Sequence, residues 1–310
     1  MRSASGHQSV NWLAHTLGMS PENLRSFANR AGNLYRPFFG RKKPVRRLNG
    51  TLSDSGSPRR IDNPNDELKA VQELILQRIL QPLPVSGLAT GAEKGCSAYT
   101  TALRHVRRPG TASVDVRRCY PSITNKMVFH FFCYRLELGP KMAHVLTSLT
   151  TRGGSLATGA PTSARLLNLI LYPLDRELEE LAANLKLRAS RFVDNIDFSG
   201  ARTREAIGPT IERLAAFGLA VRHKKVFNAG AGRAHVVTKY NVNGSRPSLS
   251  RSFRNNVRAA CHHAILAKQR GESIHDQLKR LRGRLAYVRL TNPGTADYLT
   301  SKLREAGIVL

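Results

Sequence analysis

The 310-residue chain carries 49 lysines and arginines against 21 aspartates and glutamates, a formal charge of +28, while 41% of its residues are apolar. That apolar share supports a packed core and excludes a disordered basic tail, and the length allows one large domain or two to three subdomains whose folding needs no disulfide. The Arg and Lys residues run through the whole chain rather than along one amphipathic helix, which favours a nucleic-acid partner over a membrane surface.

The longest apolar runs, such as Leu166 to Leu171, fall far short of the roughly 18 residues of a spanning helix, and the N-terminus has no apolar signal core. Cys96, Cys119, Cys133 and Cys261 show neither CxxC spacing nor an even framework. A cytoplasmic protein with buried, reduced thiols and no membrane partner is expected.

In chain order, Trp12, Leu13 and Leu17 recur at helical spacing and Ser20-Pro21-Glu22 reads as an N-cap with Pro in the first turn, which predicts two short helices over 8–30 with Trp12 in the core. Arg36 to Arg60 mixes clustered Arg and Lys with Pro, Gly and Ser, the composition of a β-hairpin with a mobile, charged, phosphate-contacting tip. Asn63-Pro64-Asn65-Asp66 opens a helix with Leu68, Val71, Ile75 and Ile79 on one face, closed by Pro82 and Pro84. A second helix spans Tyr99 to Val106. Ala112 to Val116 predicts a strand that carries Asp115 among apolar neighbours. Helices follow over 126–136 and 140–151, then a Gly-rich loop and a long helix over 163–183.

Leu187 to Phe192 and Ile196 to Ser199 read as strands joined at Val193-Asp194-Asn195, since Asp and Asn are the turn formers of an otherwise apolar stretch. Asp194 is therefore expected at a hairpin tip. A helix over 203–217, a strand over Leu219 to Arg222 and the basic loop His223-Lys224-Lys225 follow. Strands near Val236-Val237 and Tyr240 to Val242 are then expected about a turn at Asn243-Gly244. From Ser250 the pattern is helical, and Arg251, Arg254 and Arg258 share one face, either a backbone-tracking surface or a solvated one.

Asp115 and Asp194 carry the chemistry. A buried, unpaired carboxylate costs several kcal/mol, so each needs a cation, either an arginine or a divalent metal. Paired metals activate an attacking hydroxyl and stabilise a leaving pyrophosphate, which is what nucleotidyl transfer needs. His130, His144, His262 and His263 lack metal-ligand spacing.

An ordered set of motifs extends this reading: Ile61-Asp62-Asn63-Pro64, Gly91-Ala92-Glu93-Lys94-Gly95, Val114-Asp115-Val116 with Tyr120-Pro121-Ser122, Gly159-Ala160-Pro161-Thr162-Ser163, Arg191 to Gly200, and Lys224-Lys225. With Thr101-Ala102-Leu103-Arg104-His105 and Val237-Thr238-Lys239, the set resembles the bacterial retron-type reverse transcriptases. The resemblance implies an α+β right-hand polymerase, with N-terminal helices and fingers over 1–110, a palm over 111–249 that includes a second fingers segment at about 140–165, and a helical thumb over 250–310.

It further implies that Asp115 and Asp194, with Asn195, hold two Mg²⁺ ions, for which Mn²⁺ can substitute. Tyr120 is then the steric gate against a 2′-OH, Arg59 and Arg60 clamp the triphosphate, and the loop at Gly159 shapes the nucleotide floor. Lys225 lies near the leaving pyrophosphate as a cation and general acid, and Arg251, Arg254, Arg258 and His105 contact RNA, with a satisfied core histidine as the other reading of His105. Partners would be a cognate structured noncoding RNA as template and primer, deoxynucleoside triphosphates, a branched RNA–DNA product and an effector protein in anti-phage defence.

Three positions depart from the family pattern: Asn195 replaces the second aspartate, Ala157-Thr158 replaces Pro-Gln, and Lys239 replaces Gly. They leave open another defence-associated reverse transcriptase with different priming, or an inactive RNA-binding scaffold. Asp197 shares a strand face with Asn195 and reads either as a substitute carboxylate or as a surface residue or ion-pair partner of Arg191.

Overall fold

The computed structural model describes residues 10–40 and 58–310. The tip of the 36–60 hairpin, residues 8–9 and the side chain of Arg59 lie outside the described set. Ten strands are present among the described residues: β1 (Tyr35–Gly40), β2 (Arg59–Pro64), β3 (Thr111–Asp115), β4 (Thr151–Arg152), β5 (Ser155–Leu156), β6 (Arg188–Phe192), β7 (Asn195–Ser199), β8 (Phe227–Ala229), β9 (Val236–Val237) and β10 (Tyr240–Asn241). The chain forms two compact units, one of residues 1–92, 116–177 and 212–221, the other of 93–115, 178–211 and 222–310. The helices after 250 belong to the same unit as the strand that carries Asp115.

In the first unit, Ser20 Oγ accepts from the Asn23 amide at 3.2 Å and caps helix Pro21–Arg30. Asn65 Oδ1 accepts from Leu68 N at 2.9 Å and opens helix Asp66–Ile75, which buries Leu68, Val71 and Ile75. Helix Val10–Leu17 buries Leu13, Ala14 and Leu17 and leaves Trp12 38% exposed, so Trp12 is not the core residue expected: it projects off the buried stripe. The helix expected over 163–183 is two, Ser163–Ile170 and Tyr172–Asn184. Arg165, buried in the first of them, donates to the carbonyls of Leu80, Gln81 and Leu83, and Asn168 donates to Gly91 O at 2.8 Å.

The second unit is built on an antiparallel sheet in the order β6-β7-β3-β8. Ala112, Val114, Ile196 and Phe198 fill one face and are essentially inaccessible to solvent. No strand forms over Leu219 to Arg222, where only Val221 makes an isolated bridge, to Val116. β9 and β10 pair through a turn at Thr238-Lys239 rather than at Asn243-Gly244, and both turn residues hold positive φ, 47° and 76°. Helix Ala98–Leu103 ends three residues short of Val106. It carries a capping box between Ser97 and Thr100.

Three helices, Arg251–Gln269, His275–Thr291 and Pro293–Glu305, share a core of Val257, Cys261, Ala264, Leu281, Leu285, Val288, Leu299 and Leu303 with Val237, Tyr240 and Val242. All four cysteines are free; Cys119, Cys133 and Cys261 are buried and Cys96 is half-exposed. No helix of the described residues is long and apolar enough to cross a membrane.

Candidate active site

Asp115 ends β3 directly opposite Asn195, the first residue of β7. Its side chain is 1% exposed, and two cations reach it. Lys225 Nζ donates to Oδ2 at 2.8 Å, and Arg222 Nη1 lies 3.4 Å from Oδ1, without hydrogen-bond geometry. Arg222 N also donates to the Asp115 carbonyl at 2.9 Å, which ties the basic loop to the strand end. The sequence placed Lys225 here and missed Arg222.

β6 and β7 close through the two-residue turn Val193-Asp194, with Phe192 opposite Asn195. Val193 holds φ at 60°, a left-handed conformation that a β-branched residue adopts only under strain. Asn195 Nδ2 donates to Asp194 Oδ1 at 3.3 Å, and Arg191 Nη1 donates to Val193 O at 3.1 Å. The turn thus presents one carboxylate and one amide, and the strand register sets the amide beside Asp115.

Behind these groups the sheet face is polar. Thr111, Ser113 and Asp115 alternate with the apolar residues of β3, and Asn195, Asp197 and Ser199 do so on β7. Asp197 is 2% exposed, opposite Ser113 and Ser190, and burial pushes its carboxyl up to about 7, although the Ser113 hydroxyl donates to it. It is therefore not the surface residue expected, and strand parity puts Arg191 on the other face. His105 is fully buried, with Nδ1 2.7 Å from Ser199 Oγ and Nε2 2.8 Å from Ser190 Oγ. Both ring nitrogens are thereby engaged inside the protein, which replaces the expected RNA contact with a link between both strands of the Asp194 hairpin. Burial, with Arg104, Arg108 and Arg188 nearby, lowers its pKa to about 4, so the ring is neutral.

The remaining residues expected at the site lie in the first unit. Tyr120 is half-buried in the short helix Cys119–Ser122. Arg60 Nε donates to Asp62 Oδ1 at 2.9 Å, and Arg152, unnoticed in the sequence, pairs with the same oxygen. Gly159, at φ 122°, packs against β2: a Cβ there would meet Ile61 Cγ2 at 3.1 Å and Asp62 O at 3.3 Å. In the second unit, Arg251 and Arg258 are exposed, whereas Arg254 is half-buried because it continues the Val257–Cys261–Ala264 stripe.

Among the described residues no group of three or more His, Cys, Asp or Glu side chains could hold a metal ion. Asp115, Asp194 and the Asn195 amide still suit Mg²⁺, which typically binds one or two protein carboxylates and completes its shell with water and substrate phosphates. The buried Asp115 Oδ1 makes no hydrogen bond, and the Arg222 guanidinium at 3.4 Å marks it as a place for positive charge.

No protein-family model matches the chain. It is 27% identical over 274 residues to the retron Ec86 reverse transcriptase of Escherichia coli, covering 87% of this chain and 80% of the relative. It is 31% identical over 279 residues to the retron Mx65 reverse transcriptase of Myxococcus xanthus, covering 82% and 63%, and 27% identical over 334 residues to the Mx162 enzyme of the same organism, covering 96% and 67%. Most of the chain is thus similar to retron-type reverse transcriptases. The activity that names these relatives is RNA-directed DNA polymerisation, and this chain has a mixed helix-and-sheet fold built around the β6-β7-β3-β8 sheet. Among solved structures, telomerase from Candida albicans in complex with a fragment of telomeric RNA aligns at a TM-score of 0.47 and 9% identity, over 92% of this chain and 60% of the telomerase chain.

Proposed function

We propose that this chain is a reverse transcriptase that copies a cognate structured noncoding RNA into DNA in the cytoplasm, with Asp115, Asp194 and Asn195 holding the divalent metals and Lys225 serving the same centre. The observation that carries the reading is the register of Asp115 against Asn195, beside the strained turn that projects Asp194. Mg²⁺, when bound, would activate the primer hydroxyl and stabilise the leaving pyrophosphate. The protein's own part is positioning. The buried sheet fixes the carboxylates, Lys225 and Arg222 compensate Asp115, and Lys225 is a proton donor within reach of that carboxylate. Tyr120 excludes the ribose 2′-OH, and Arg59 and Arg60 take the triphosphate, a task suited to guanidinium forks.

The family relationship supports priming from a 2′-OH within the RNA, a branched RNA–DNA product and a role with an effector protein in anti-phage defence. Expression with the native flanking DNA, followed by RNase and DNase treatment of the co-purified nucleic acid, tests this: a branched hybrid is expected. Linear DNA would favour another priming mode, and RNA alone an inactive scaffold.

A further inference from the structure

β1 and β2 pair with each other, and no third strand joins them among the described residues. A ribbon of this size cannot bury both faces. Phe38 and Phe39, adjacent and therefore on opposite faces, are 51% and 66% exposed. Phe39 stands across from Arg60, whose side chain is 54% exposed, and Phe38 stands across from Ile61 with exposed Arg36 two residues before it on the same face.

Two large aromatic rings in water on a charged ribbon need a partner. The stretch from Arg36 to Arg60 holds eight Arg and Lys residues (36, 41, 42, 43, 46, 47, 59, 60) against the single acid Asp54. An apolar protein surface would not match that charge; a polyanion with flat, weakly hydrated faces does.

Resting on the RNA-templated reading above, we infer that Phe38 and Phe39, one on each face of the ribbon, each stack against an unpaired base of the single-stranded template RNA. Exposed Arg36, on the face of Phe38, lies where it can meet a template phosphate. Stacking tolerates any sequence, because every base offers a π-face, and a neighbouring guanidinium adds a cation–π contribution. A polymerase that moves one template base after another past its site needs this kind of sequence-tolerant contact.

The test compares Phe38→Leu/Phe39→Leu with Phe38→Trp/Phe39→Trp in the full chain. The probes are an RNA template annealed to a DNA primer, either blunt or with a single-stranded template overhang carrying 2-aminopurine. The leucine pair should bind the overhanging substrate about tenfold more weakly, the blunt one normally, and with an unchanged salt slope. The tryptophan pair should restore affinity and quench the fluorophore. Wild-type affinity in the leucine pair, or an equal loss on both substrates, would overturn the stacking. Leucine tolerance combined with normal primer extension overturns the stacking alone, whereas a wild-type chain that binds neither substrate overturns the template reading together with it.

Discussion

Asp115 and Asn195 face each other at the open ends of β3 and β7, so the amide that replaces the family's second carboxylate lies beside the aspartate that Lys225 and Arg222 already neutralise. With two cations on Asp115, a further negative charge next to it is compensated rather than repelled. Asn195→Asp should therefore keep incorporation at or above the wild-type rate and reach half-maximal activity at a lower Mg²⁺ concentration. A Mg²⁺ titration of primer extension checks this; a loss of activity with unchanged melting would show that the amide is required.

Tyr120 bears on sugar selection. In the proposed reading its ring would act by steric exclusion, while the metals and the triphosphate clamp would treat both sugars alike. Tyr120→Val should admit ribonucleotides without abolishing deoxynucleotide addition. Unchanged discrimination in single-nucleotide incorporation assays would remove Tyr120 from the site.

His105 gives the sheet a pH dependence with a defined sign. Its folded pKa, about 4, lies below the ordinary 6.5, so the unfolded chain binds the extra proton and stability falls as pH drops from about 6.5 toward 4. Between pH 7.5 and pH 5 this amounts to about 2 kcal/mol. Asp197, raised to about 7, contributes with the opposite sign in the same window, so the increment is read as the difference between the urea-unfolding pH profiles of the wild type and of His105→Gln, which cannot titrate. Parallel pH profiles would place the ring in water.

The outward face of helix Arg251–Gln269 is proposed to contact RNA. Arg251→Ala/Arg258→Ala alters two exposed positions, so melting should be unchanged while RNA affinity falls. The slope of log K against log salt should flatten by roughly 0.7–0.9 for each phosphate that these arginines neutralise in the wild type. An unchanged slope would make this a solvated face.

The hairpin carrying Asp194, the strand carrying Asp115 and the terminal helices were legible in the sequence, because turn formers and alternation act locally. The partners of Asp115 were legible only in part. Lys225 stood in a recognised motif, but Arg222 reaches the strand end through tertiary packing of a loop that looked like a strand. The polar sheet face was written in the sequence as Thr111, Ser113, Asp115 and Asn195, Asp197, Ser199, each at period two. Reading these segments as apolar runs hid it. His105 was ambiguous because a buried histidine and an RNA-contacting one look alike until Ser190 and Ser199 are brought to its two nitrogens. Trp12 misled because apolar character predicts burial only for residues on the stripe.

The metal assignment is tested most directly by primer extension on an RNA template, in Mg²⁺ and in Mn²⁺, with wild type, Asp194→Ala and Asp115→Asn at matched folded concentration. Loss of either carboxylate should reduce deoxynucleotide incorporation by several orders of magnitude while RNA binding persists, since each anchors the ions through the strand ends described above. Incorporation that survives Asp194→Ala, or a wild type inert with both metals on its own RNA, would contradict it.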